Sequence, residues 1–233
     1  MYKRQRITSY YNTLSATDPL QSAYRRNHSC ETALLRVTND IFEAVDAGES
    51  VLLVALDQSA AFDCIDHHTL LDRLQHTYGL VGSVLDWLRS YLDSRRAFVK
   101  WRSYSSDCIA VDTGVPQGSS LGPQLFSMYI APLARLIKSF GVRYHQYADD
   151  SQLYIAISRT NQNIQLATLE QCLSRVHEWL LHNGLSLNPT KSEAVQFANG
   201  WGRRCGGPVE SISVSGVAIH APSWFCQESR GHT

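Results

Sequence analysis

Gly141-Val142-Arg143-Tyr144-His145-Gln146, Tyr147-Ala148-Asp149-Asp150 and Ser151-Gln152-Leu153-Tyr154-Ile155-Ala156-Ile157 run on without a gap, and the middle four residues decide the fold. Both flanks are short and rich in aromatic and β-branched residues, which predicts two strands. The four residues between them then make the turn of an antiparallel hairpin. Successive strand side chains point to opposite faces, so adjacent aspartates serve one site only where the backbone bends. Neighbouring carboxylates repel, and a cation offsets that cost.

A third carboxylate, Asp57, closes Val51-Leu52-Leu53-Val54-Ala55-Leu56, an unbroken apolar run that reads as a strand buried on both faces. Oxygen donors without Cys or His favour Mg²⁺ or Mn²⁺ over zinc. Taken alone, Asp149-Asp150 is equally well a solvated turn.

Further motifs displace that bland reading. Leu56-Asp57-Gln58-Ser59-Ala60-Ala61-Phe62-Asp63, Gly114-Val115-Pro116-Gln117-Gly118-Ser119-Ser120-Leu121-Gly122-Pro123, Tyr147-Ala148-Asp149-Asp150 and Leu187-Asn188-Pro189-Thr190-Lys191-Ser192-Glu193 occur in this order. The series resembles motifs A, B, C and D of reverse transcriptases, the RNA-directed DNA polymerases. Upstream, Gln21-Ser22-Ala23-Tyr24-Arg25-Arg26-Asn27-His28-Ser29 resembles their fingers segment. The wording is nearest to non-LTR, LINE-type retrotransposons of the jockey and CR1 kind, over about residues 21–221.

The resemblance implies a right-hand polymerase palm with partial fingers, and a nucleotidyl transfer that needs two Mg²⁺ or Mn²⁺ ions. Asp57, Asp149 and Asp150 are then the catalytic and metal carboxylates, with Asp150 pointing partly away. Its substrates would be an RNA template, a DNA primer and deoxynucleoside triphosphates. Phe62, five positions after Asp57, matches a bulky gate against the ribose 2′-hydroxyl; a plain core aromatic is the alternative. Gln117 and Gly118 match nucleotide and template contacts. Arg25 and Arg26 are candidates for the triphosphate, and Lys191 for protonating the leaving pyrophosphate. An arginine pair is more often a solvated face, and Lys191 is equally a surface lysine. Asp63 matches the pattern too, or simply caps the helix that begins near Asp66. Gln58 and Cys30 depart from the pattern, which more often has an apolar residue and a threonine there.

Composition agrees without deciding. The 233 residues are 44% hydrophobic, and 21 basic residues balance 21 acidic ones. Phosphate binding therefore needs local basic clusters: Arg25-Arg26, Arg95-Arg96 with Lys100 and Arg102, and Arg203-Arg204. The second includes Phe98 and Trp101, able to stack on bases, although a half-buried hairpin with a charged outer face is the simpler expectation. Cys30, Cys64, Cys108, Cys172, Cys205 and Cys226 show no paired ligand spacing and suit a reducing compartment, nuclear and cytoplasmic. No apolar run is long enough to span a membrane.

The remaining pattern is α+β, an antiparallel sheet backed by helices. Helices are expected at about 31–46 with Ser29 as cap, 67–77, 81–92 and 162–182, and on the apolar stretch after Gly122, with Ser120 as its cap and Pro132 bending it or marking a break within it. Strands are expected near 194–197 and 212–219, and a hairpin near 97–111. Three segments follow: 1–20, whose first five residues read as an adapter-like remnant outside the fold; 21–222, fingers and palm; and 223–233, an aberrant, truncated tail. Endonuclease and thumb regions belong to the expected parent polyprotein, which makes the chain alone weak or inactive. An inactive relic of a mobile element and a nucleic-acid-binding module that borrowed the fold are the competing readings; three acids facing phosphate disfavour the second.

Overall fold

The computed structural model describes residues 2–13, 18–198 and 207–225. They fall into two compact units whose segments interleave along the chain. One comprises Met1–Asp18, Ala60–Ala131 and Asn183–Leu185; the other comprises Pro19–Ser59, Pro132–His182 and Ser186–Thr233.

The second unit is built on one sheet. In chain order it holds α2 (Cys30–Asp46), β1 (Ser50–Leu56), β2 (Gln58–Ser59), β7 (Arg143–Tyr147), β8 (Asp150–Ile157), α6 (Gln162–His182), β9 (Ser186–Leu187), β10 (Glu193–Ala198), β11 (Ser211–Val214), β12 (Val217–His220) and β13 (Ser223–Phe225). The main sheet has the order β13-β10-β1-β8-β7. All its pairings are antiparallel except β10 with β13, which is parallel. The apolar run 51–56 takes the central place, where both neighbours cover its backbone, as its hydrophobicity predicts.

Helix α2 starts at a capping box. Ser29 Oγ accepts from the Thr32 N–H, and Thr32 Oγ1 accepts from the Ser29 N–H. Its apolar stripe, Val37, Ile41, Ala44 and Val45, packs on Val51 and Tyr154 of the sheet. Helix α6 buries Leu169, Cys172, Leu173, Val176 and Leu180 and lies against β8, β9 and β11. Burial in this stripe pushes the Cys172 thiol up to about 12, so it is an inert packing residue.

Three expectations change here. The acidic turn has two residues, not four: Tyr147 pairs with Asp150, leaving Ala148 and Asp149 at the tip. The strand expected over 212–219 is a hairpin, β11 and β12, turned at Ser215-Gly216 with positive φ at both residues. Residues 223–225, expected to open an aberrant tail, form β13 on the sheet edge; residues 226–233 lie outside the described residues.

In the first unit, α1 (Tyr2–Thr13) buries Ile7 and Tyr11, and the Tyr10 hydroxyl donates to the Tyr78 carbonyl at 2.9 Å. Most of the opening stretch expected outside the fold is thus its first helix. Helix α3 (His67–His76) is capped by Asp66, whose carboxylate accepts from the Thr69 N–H at 2.7 Å. Helix α4 (Ser83–Leu92) buries Leu85, Leu88 and Leu92. A hairpin follows, pairing β3 (Arg96–Ala97) with β6 (Ile109–Ala110) and β4 (Lys100–Trp101) with β5 (Tyr104–Ser105). It is exposed throughout, Phe98, Val99, Trp101, Tyr104 and Ile109 included, and not half-buried as expected.

Helix α5 (Gly122–Ser139) begins in this unit and passes into the other at Pro132, through which it continues unbroken. The hydroxyl receiving its first N–H belongs to Ser119, not Ser120. The half-buried Arg73 guanidinium donates to the Tyr129 carbonyl and to Asn183 Oδ1 and lies 4.5 Å from the Tyr129 ring centroid. These bonds offset the cost of burying the charge.

Candidate active site

The acidic turn gathers its neighbours in the sheet-bearing unit. Asp149 occupies the β7–β8 tip beside Ala148, whose φ of 58° is left-handed. Asp57 follows β1, whose Leu56 pairs with Ser151 of β8, so the carboxylates come from adjacent strand ends. Asp57 is fixed through its own backbone: its N–H donates to Ser192 Oγ at 3.4 Å, and its carbonyl accepts from the Asn188 N–H at 2.9 Å. The turn bearing exposed Lys191 therefore grips Asp57 directly, joining two of the sequence motifs.

Asp150 takes a different place. It belongs to β8 and, with Cys30, Ala33, Leu34, His145, Tyr147 and Gln152, lines a cavity of about 190 Å³ beside α2. Its carboxyl is raised above the usual carboxylate range, first by burial and then by the charges of Asp149 and Asp57. Among the described residues no three His, Cys, Asp or Glu side chains form a group that could hold a metal ion. Asp150, expected to point partly away from its two partners, faces the α2 side, while the charges of Asp149 and Asp57 still reach it. Strand alternation explains it, sending the side chain after the turn toward α2. Asp57 and Asp149 are the pair left for a cation. Both are half-buried, and neither makes an ion pair among the described residues. Two carboxylate oxygen donors without a cationic partner suit a hard divalent ion.

The 21–26 segment packs on the same turn. Gln21 pairs with Gln146, and the Ser22 N–H donates to the Gln146 carbonyl at 3.0 Å. Tyr24 has its hydroxyl pKa raised by burial and by the charge of Asp149. Arg25 and exposed Arg26 follow it directly. Composition alone hides two residues of this shell. Gln21 and Gln58 are buried and bond the main chain of the acidic turn. The sequence signal for Gln58 is a polar residue two positions after a buried strand, where related motifs more often have an apolar one.

The other site candidates lie in the first unit. The Phe62 ring stacks on Phe126, with centroids 4.5 Å apart and planes at 23°. The Phe62 carbonyl accepts from the Val115 N–H at 2.9 Å, and the Ile65 carbonyl from the Gly114 N–H at 2.7 Å. Gln117 Nε2 donates to both carboxylate oxygens of Asp63, at 3.0 and 2.9 Å. Asp63 is thus a partner of Gln117, and Asp66 alone caps α3. Gly118 is exposed with φ 72° and open space where a Cβ would stand. Arg203 and Arg204 lie outside the described residues.

A mainly antiparallel sheet backed by helices, with carboxylates at the adjacent ends of β1 and the β7–β8 hairpin, defines the palm of a template-directed polymerase. Residues 3–219 match the family model described as reverse transcriptase (RNA-dependent DNA polymerase), and the chain belongs to that family, in its non-LTR branch. It is 29% identical over 209 residues to the probable RNA-directed DNA polymerase from transposon BS of Drosophila melanogaster, covering 87% of this chain and 22% of that protein. It is 28% identical over 221 residues to the RNA-directed DNA polymerase from mobile element jockey of the same fly, covering 92% and 23%. The chain spans roughly a fifth of the length of these relatives. Apo telomerase from Candida tropicalis, truncated from its C-terminal domain, shares the fold with a TM-score of 0.65 at 15% identity, over 94% of this chain and 43% of that one.

Proposed function

We propose that this chain is the palm and partial fingers of an RNA-directed DNA polymerase, extending a DNA primer on an RNA template with deoxynucleoside triphosphates. The observation that carries the reading is the Asp57–Asp149 pair, half-buried at adjacent strand ends with no cationic side chain among the described residues paired to either. Two Mg²⁺ or Mn²⁺ ions bound there would activate the primer 3′-hydroxyl and stabilise the departing pyrophosphate. Asp57 and Asp149 would hold them by carboxylate oxygens. Asp150, its carboxyl raised by burial and then by their charges, would be the weaker partner, adding negative potential from the α2 side.

The other assignments follow from residue chemistry. Arg25 and Arg26 bind the triphosphate, because guanidinium stays charged and matches phosphate oxygens. Phe62, braced on Phe126, closes the space a ribose 2′-hydroxyl needs. Gln117 and Gly118 present an amide and an unshielded backbone to the incoming nucleotide and template base. Lys191 gives a proton to the leaving pyrophosphate. The chain works in the nucleus and cytoplasm as part of a longer protein that adds endonuclease and thumb regions.

Primer extension on an RNA template with Mg²⁺ tests this, run on this chain and on one lengthened by the segment that follows the matched region in a jockey relative. Deoxynucleotide incorporation that Asp149→Asn abolishes is the expected result. Incorporation that survives Asp149→Asn sinks the assignment. Activity confined to the longer chain shows that the palm needs its C-terminal neighbour.

A further inference from the structure

The acidic turn carries a strained residue, and two buried side chains hold its backbone. Ala148 has φ 58°, a left-handed conformation that costs a residue with a Cβ about 1–2 kcal/mol. Gln21 grips the same residue on both sides. Its Oε1 accepts from the Ala148 N–H at 3.1 Å and from the Ala23 N–H at 3.1 Å, and its Nε2 donates to the Ala148 carbonyl at 3.2 Å. Gln58 holds the next peptide, its Nε2 donating to the Asp149 carbonyl at 2.8 Å. Tyr147 and Asp150 close the ladder on either side, so the peptide groups at the tip depend on these amides.

Gln58 is an expensive way to fill its site. It is 5% exposed, and its Oε1 is buried without a hydrogen-bond partner among the described residues. A buried unpaired acceptor costs free energy that an apolar side chain of the same shape avoids. The fold alone therefore gives no reason for an amide at position 58. The bond it makes points to one: the carbonyl it holds belongs to Asp149, at the tip of the acidic turn next to the strand end that bears Asp57.

We infer that Gln21 and Gln58 are positioning residues, a pair of amide clamps that fix the Ala148-Asp149 backbone so that the Asp149 carboxylate is aimed before a cation arrives. The inference rests on the reading of Asp149 as a metal carboxylate. Neither glutamine touches the ion. Each acts through the main chain, as groups behind a ligand commonly do, and losing such a group typically weakens metal binding about 10–100-fold.

The test is Mn²⁺ titration of this chain, followed by loss of the free-ion paramagnetic resonance signal, for wild type, Gln58→Met and Asp149→Asn. Metal-free melting is measured alongside, with amide exchange at Ala148 in wild type and Gln21→Met. Gln58→Met is expected to bind Mn²⁺ about tenfold more weakly while its metal-free melting temperature stays level or rises. In Gln21→Met the Ala148 amide is expected to lose its protection. Unchanged Mn²⁺ affinity in Gln58→Met, with binding lost in Asp149→Asn, overturns the clamp and leaves the metal site standing. Affinity that falls only together with melting temperature makes Gln58 a packing residue and also overturns it. Full Mn²⁺ binding by Asp149→Asn removes the metal reading itself, and the inference with it.

Discussion

The Gln117 amide donates to both carboxylate oxygens of Asp63, at 3.0 and 2.9 Å, which joins the exposed tip of one motif loop to the residue just after Phe62. Both side chains are exposed, so the bonds add little to stability. Their consequence is orientation: an amide proposed to meet the incoming nucleotide is held in one rotamer. Asp63→Ala should raise the KM for deoxynucleotide about two- to tenfold, the range of one hydrogen bond, with little change in melting temperature. Asp63→Asn keeps an acceptor and should fall between. Equal KM in all three proteins would show that Asp63 does not set the Gln117 pose.

Phe62 rests on Phe126, which is fully buried, so the gate ring has a rigid floor. Phe62→Val shortens the ring to a branched stub and should relax discrimination against ribonucleotides by an order of magnitude, roughly. Single-nucleotide incorporation with paired ribo- and deoxynucleotides measures it. Unchanged sugar selectivity assigns Phe62 to packing alone.

How much of this was legible beforehand depends on range. Helix α2 with its Ser29 cap, the inner stripe of α6 and the central strand ending at Asp57 follow from local periodicity and caps, and they stand where expected. The grip of Gln21 on Ala148 spans 127 positions and that of Gln58 on Asp149 spans 91, and no local pattern carries such distances. The partly averted place of Asp150 follows from strand alternation. A turn of two residues instead of four puts Asp150 into β8, facing α2. The hairpin after α4 alternates like a half-buried one, and only packing could show that nothing in the described residues covers Phe98, Trp101 or Tyr104.

The Tyr154 hydroxyl donates to Asp40 Oδ2 at 2.5 Å, linking β8 to α2. Burial, and then the hydrogen bond to Asp40 and its charge, raise the Tyr154 pKa well above its usual value of 10.0. For a raised pKa the stabilisation is complete below the unfolded value and is lost as pH climbs from there through the folded value. Wild type should therefore lose stability above about pH 10, where the unfolded tyrosine ionises first. Tyr154→Phe should cost about 1.5 kcal/mol at neutral pH, as for a hydrogen bond to a charged group, and the gap to wild type should narrow in alkali. Urea unfolding at pH 7 and above pH 10 checks both; a gap that widens in alkali contradicts the assignment.

Gly114 and Gly118 stand four positions apart in one loop, both with positive φ, 75° and 72°, yet they should respond differently to alanine. A Cβ at Gly114 would lie 2.7 Å from the Asp63 carbonyl oxygen and 2.8 Å from its Cα. That backbone is held in place by the Thr113 hydroxyl donating to the Asp63 carbonyl and by Arg95 and His67 on the Gly114 carbonyl. Gly114→Ala therefore combines left-handed strain of about 1–2 kcal/mol with overpacking of about 1–3 kcal/mol. At Gly118 nothing lies within 4 Å of the added methyl, so only the strain term remains. Denaturant unfolding should place Gly114→Ala clearly below Gly118→Ala in stability. Gly118→Ala should instead weaken nucleotide and template binding, because its methyl projects where the proposed substrates approach. Equal destabilisation of the two variants would mean that the Asp63 loop gives way, and a Gly118→Ala protein with unimpaired extension would remove Gly118 from the substrate contacts.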